Sequence, residues 1–115
     1  MKKDNAYLQD MMDAITDIEL FLANITELEF YKNKEKKYAI VRALEIIGET
    51  AKNVSKELRI NHKEVPWRHI VGMRDKLIHW YFGIKWELVW ETVKSKIPEL
   101  KRQLKQILDE HRELF

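Results

Sequence analysis

The sequence predicts an all-α protein, an up-and-down bundle of about five helices forming one domain over residues 1–115. Three observations carry this. Only three glycines and two prolines interrupt 115 residues. Hydrophobic residues make up 45%, enough for a single core, and charged residues 35%, enough to solvate it. Apolar side chains recur at steps of three and four over long runs, the period of a helix with one buried face.

Helix one spans 4–29, with Leu8, Met11, Met12, Ile15, Ile18, Leu22 and Ile25 on its apolar stripe. The charged tract YKNKEKK (31–37) reads as a connector into helix two, which carries Tyr38, Ile40, Val41, Leu44, Ile47, Ala51, Val54 and Leu58. These two should form an antiparallel hairpin. The polar stretch RINHKEVP (59–66) ends in Pro66, suited to the first turn of a third helix over 67–82. Gly83 offers its stop. KWELVWETVKSK (85–96) supplies a fourth helix with Trp86, Val89, Trp90 and Val93 on one side, and Pro98 opens the last, with Leu100, Leu104, Ile107 and Leu108 facing the bundle. Such a bundle has a radius of gyration of about 13 to 14 Å. The aromatics near 80–90 fit a monomer core and a dimer interface equally well.

Composition narrows the function classes. Without cysteine there is no disulfide, thiolate metal site or cysteine nucleophile. The N-terminal segment has Asp4, Asn5 and Asp10 where a signal peptide needs an apolar run, and no apolar segment approaches the roughly 20 residues of a membrane span. A cytoplasmic location with no membrane partner is expected. The net charge of +2, from 21 basic and 19 acidic side chains, does not announce a nucleic-acid binder, so any RNA contact is local.

Chemistry concentrates in MRDKLIHWYFGI (73–84). On a helix, Met73, Leu77 and Trp80 share the core stripe. Arg74 and Tyr81, two turns apart, share another face, and Asp75 and His79 lie four apart, within reach of a carboxylate–imidazole hydrogen bond. An imidazole takes or gives a proton near neutral pH, Asp75 would fix its tautomer, and an arginine fork holds phosphate. The same residues also suit a structural or solvated histidine–aspartate pair, and Tyr81 a ring that packs with its hydroxyl in solvent.

The run Arg74-x4-His79-x-Tyr81 resembles the signature of HEPN-domain ribonucleases, specifically the HepT-type toxins. RALEIIGETAKNV (42–54), VPWRHIVGMRDKLIHWYFGI (65–84) and WETVKSKIPEL (90–100) look like that family's segments in the same order. The resemblance implies a HEPN-like helical homodimer and a metal-independent endoribonuclease whose cleft takes an Arg and a His from each subunit. It also implies an MntA-type nucleotidyltransferase antitoxin that neutralises the toxin by transferring AMP to Tyr81, as in type VII toxin–antitoxin pairs. Many HEPN proteins have Asn after the motif Arg, where this chain has Asp75; that carboxylate can orient His79 or repel phosphate. The catalytic pair is then Arg74 and His79, supported by Asp75.

Other signals are weaker. His62, His69, His79 and His111 show no metal-ligand spacing, so neither metal nor cofactor is expected. Glu45 and Glu49, four apart around Gly48, read as a polar flank with Gly48 permitting close helix approach, although contact with Arg74 stays open. Lys32, Lys34, Lys36 and Lys37 form a basic patch diluted by Glu35. Arg68 and His69 are better candidates for a secondary RNA phosphate contact. Two rival readings remain: a non-catalytic helical partner that presents a substrate to a nucleotidyltransferase, and a structural oligomerisation bundle.

Overall fold

The computed structural model describes residues 2–79 and 83–113. Helix α1 (Lys2–Leu22) buries Leu8, Met11, Ala14, Ile15 and Ile18. It stops seven residues before the expected 29, because Asn24 adopts a left-handed conformation (φ 59°) and Thr26 starts a new helix. The Thr26 hydroxyl accepts from the Glu29 N–H and the Glu29 carboxylate accepts from the Thr26 N–H, both at 3.2 Å, a reciprocal cap for α2 (Glu27–Lys32). Bonds from Thr26, hydroxyl first and backbone second, hold the Glu29 carboxyl below the usual carboxylate range.

The tract 31–37 is not a connector. Asn33 alone makes the turn: its N–H closes α2 on the Phe30 carbonyl at 3.1 Å, and its side chain accepts from the Lys36 N–H at 3.0 Å to open α3 (Lys34–Asn53). Helix two is likewise interrupted, at Val54, and Ser55 caps α4 (Lys56–Asn61), where Leu58 is buried. The buried Asp4 carboxylate accepts from the Ser55 N–H (2.8 Å) and hydroxyl (2.6 Å), so the start of α1 meets the end of α3. The two helices are antiparallel, as the hairpin expectation required.

The expected third helix is broken and short. Helix α5 (Trp67–Val71) closes at Gly72, α6 (Met73–Leu77) follows, and from Ile78 the chain is extended. Strand β1 (Ile78–His79) pairs antiparallel with β2 (Gly83–Ile84), Ile78 opposite Ile84 and His79 opposite Gly83. Gly83 takes φ +79°, a conformation costly for any residue with a side chain. It sits in a ladder, where the sequence suggested a helix stop.

Helices four and five are one continuous run: α7 (Trp86–Glu91), a π-helical turn (Thr92–Lys96) and α8 (Ile97–Glu113). Pro98 does not open a separate helix. A proline inside a helix lacks the N–H for residue i−4 and crowds its carbonyl, here that of Lys94, which lies within the widened π turn. The Ile97 N–H bonds five residues back to the Thr92 carbonyl.

Helix α8 pairs with α1 through Lys101–Glu19 (2.8 Å) near one end and His111–Asn5 at the other, so these two are also antiparallel. Every helix, α1 through α8, contributes to the core, α2 through Phe30 and α4 through Leu58. Trp86 and Trp90 are half-buried against the fully buried Phe30, with ring centroids 6.3 and 5.2 Å away, so much of the aromatic belt belongs to the monomer's packing. The radius of gyration, 14.6 Å, exceeds the expected range because the long helices stretch the molecule to 46 × 31 × 20 Å. No described helix is long and apolar enough to cross a membrane.

Candidate functional site

The site begins with a glycine. A Cβ at Gly48 would stand 3.0 Å from the Ile70 carbonyl oxygen, tight enough that a side chain there would push the α5 backbone away by a few tenths of an ångström. That approach sets α6 beside the α3 residue one turn earlier, Glu45. Met73 and Leu77, 8% and 3% exposed, anchor α6 in the core and turn Arg74, Asp75 and Lys76 outward. Arg74 Nε donates to Glu45 Oε2 at 3.0 Å. The Arg74 side chain stays more than half exposed, while that of Glu45 is 21% exposed. With Nε bonded to Glu45, the guanidinium keeps further N–H donors that an anion can accept from. The contact with Arg74 left open by the sequence is therefore made, and Gly48 has the packing role assigned to it. Glu49, the other member of the carboxylate pair, faces Arg42 at 3.7 Å.

The helical geometry assumed for Arg74, Asp75, His79 and Tyr81 does not hold. Helix α6 ends at Leu77, and His79 sits in β1, so the four-residue spacing from Asp75 to His79 does not follow a helix, and the expected pairing of Arg74 with Tyr81 falls outside the described residues. The His79 backbone is fixed by its ladder with Gly83, and the ladder is extended by the Lys85 N–H to the Leu77 carbonyl at 2.9 Å. The His79 side chain, and Trp80, Tyr81 and Phe82 altogether, lie outside the described residues. Asp75 is exposed, its N–H bonded to the Gly72 carbonyl at 3.1 Å.

Arg68 and His69 are exposed on α5. His69 lines an apolar cavity of about 420 Å³ between α5–α6 and α7–α8, together with Met73, Lys76 and Leu77. Arg74 does not line it. The structure thus separates His69 from Arg74 instead of joining them in one pocket. Among the described residues, no three His, Asp or Glu side chains gather to hold a metal ion.

What the sequence reading missed is the hairpin that carries His79. A signal was there: IHWYFGI is rich in β-branched and aromatic residues, and its second-last residue is Gly83, the type that a positive φ favours.

Comparison with known proteins gives this arrangement a context. The family described as "Ribonuclease HepT-like" matches residues 11–107. A protein named "Putative RNase" from Methanocaldococcus jannaschii is 44% identical over 108 residues, covering 93% of this chain and 89% of the relative. Another of that name from Caldanaerobacter subterraneus is 43% identical over 112 residues, covering 97% of this chain and 100% of its own. A "Probable ribonuclease HepT" of Thermococcus cleftensis is 45% identical over 101 residues, 88% of this chain and 92% of the relative. No solved structure matches. With a family match over most of its length and relatives of this identity and coverage, the chain belongs to the HepT-like ribonuclease family.

Proposed function

We propose that the protein is an endoribonuclease that cuts RNA by transesterification without a metal, working as a homodimer in the cytoplasm. The observation that carries the reading is the more than half-exposed Arg74 side chain, held at Nε by Glu45, in a chain of a ribonuclease family. His79 removes the proton from a ribose 2′-hydroxyl, whose oxygen attacks the adjacent phosphorus. The bond from phosphorus to the 5′-oxygen breaks, and a second imidazole from the partner subunit protonates that oxygen. Arg74 neutralises charge on the pentacoordinate phosphorus. The products are a 2′,3′-cyclic phosphate and a 5′-hydroxyl, and DNA, lacking the nucleophile, is not cut.

The same reading makes the protein the toxin of a type VII-like pair. An MntA-type nucleotidyltransferase would transfer AMP to Tyr81, two residues from His79, placing an anionic nucleotide beside the RNA site. Support comes from the HepT-like family and from the position of Tyr81 in the motif.

Purified protein incubated with labelled RNA in EDTA tests the enzyme. Cleavage with cyclic-phosphate ends, lost in His79→Ala, is the expected result. No cleavage by protein shown to be unmodified at Tyr81 would replace this reading with the non-catalytic partner of a nucleotidyltransferase.

A further inference from the structure

We propose that Tyr38 and Trp86, flanked by Lys37 and Lys85, form a base-stacking subsite for single-stranded RNA beside Arg74. The proposal rests on the ribonuclease reading above and adds to it where the strand lies.

Tyr38 is an outlier among the aromatics: 51% exposed, on the second turn of a helix that buries most of its other large apolar residues. Its ring is nevertheless supported. It meets Trp86 edge-on, with centroids 5.5 Å apart and planes at 89°, and Trp86 is backed by Phe30. The Lys37 ammonium rests 4.5 Å from the centre of the Trp86 ring. A hollow of about 500 Å³ opens beside Trp86, lined by Tyr31, Lys37, Lys85, Trp86, Glu87 and Leu88, with Tyr38 outside its lining. An exposed Tyr38 ring packed edge-on against the half-buried Trp86, with lysines beside it, offers a single strand stacking for a base and cations for its phosphates.

Register on α3 connects this patch to the motif arginine. Tyr38, Arg42, Glu45 and Glu49 follow one another at steps of four, three and four, and so share one face of the helix. Seven residues separate Tyr38 from Glu45, about 10 Å along the axis. Arg74 grips Glu45 on that same face. A strand whose phosphate meets Arg74 can therefore place a neighbouring base on Tyr38 within one or two nucleotide steps. Of the acidic residues nearby, Glu27 is engaged by the Tyr31 hydroxyl at 2.6 Å and Glu49 by Arg42, while Glu87 lines the hollow next to Lys85.

The test measures binding apart from cleavage, using full-length His79→Ala protein and a fluorescent single-stranded oligoribonucleotide, by anisotropy over a salt series. Tyr38→Ala is expected to weaken binding roughly 5- to 100-fold, and Tyr38→Phe to keep it. Lys37→Gln and Lys85→Gln should each lower the salt slope by about 0.7. Affinity for Tyr38→Ala within twofold of its parent overturns the subsite. So does a Tyr38→Ala protein that loses RNA only because sedimentation shows its dimer has dissociated, since the face would then join copies of the chain. RNA held through Tyr38 by a wild type that never cleaves leaves the subsite standing and removes the ribonuclease reading. Cleavage with Tyr38 irrelevant to binding does the reverse.

Discussion

Arg74 and Glu45, 29 residues apart in the chain, are joined by a 3.0 Å bond from Nε to a carboxylate oxygen, and this bond aims the guanidinium. An exposed ion pair of this kind adds only about 0.2 to 1 kcal/mol to stability, so its value lies in position. Glu45→Ala is expected to lower kcat for RNA cleavage by roughly 10- to 100-fold with little change in Tm, because small misplacements of a charge-stabilising group are costly. Glu45→Gln keeps an acceptor for Nε and should fall between the two. Equal rates for wild type and Glu45→Ala would show that Arg74 needs no such support.

Gly48 sets the same geometry through the backbone. Adding a Cβ 3.0 Å from the Ile70 carbonyl forces α5 outward, at about 1 to 3 kcal/mol, while an alanine regains about 1 kcal/mol of helix propensity. Gly48→Ala should therefore cost about 1 kcal/mol in urea unfolding and Gly48→Val clearly more. Activity should fall further than stability in both, since Arg74 moves with α6. A Gly48→Val protein as stable as wild type would mean that α5 can shift freely.

How much of this the sequence showed depends on the kind of signal. Long-range periodicity placed α1, α3 and α8 and their buried faces, because burial of an apolar stripe dominates the energetics of long helices. Breaks were harder. Asn24, Asn33, Ser55 and Gly72 end or start helices through local hydrogen bonds and single backbone angles, which leave the apolar stripe undisturbed. Thr26-x-x-Glu29 was readable as a cap and was passed over within a stripe that continued to Ile25. At the candidate site the tight fit at Gly48 was legible, and Glu45 was named with its contact to Arg74 left open. The helix through His79 was not correct, because Met73 and Leu77 keep helical spacing up to the residue where the chain extends.

Asp4 is a buried carboxylate that accepts from the Ser55 N–H and hydroxyl, and the same hydroxyl caps the next helix by accepting from the Leu58 N–H. Asp4→Ala removes both acceptors, leaves the part-buried Ser55 N–H without a partner, and should destabilise by about 1 to 3 kcal/mol in urea unfolding. Asp4→Asn keeps one acceptor and should cost less. If both variants unfold with the wild-type midpoint, the tie between α1 and the α3–α4 junction contributes nothing.

Tyr31 gives a spectroscopic prediction. Its hydroxyl donates to Glu27, and that bond, chiefly, pushes its pKa up to about 12 from an ordinary 10.0. The protonated phenol is the form that bonds, so the contribution to stability is complete below pH 10.0 and is lost as pH rises through about 12. In phenolate absorbance, one of the four tyrosines should titrate late, and Glu27→Ala should bring it back towards the ordinary value. Glu27→Gln still accepts the hydroxyl but carries no charge, and its titration should lie between. Superimposable curves for wild type and Glu27→Ala would show that the bond does not persist in solution and that the Tyr31 ring is not fixed by it at the edge of the Trp86 hollow.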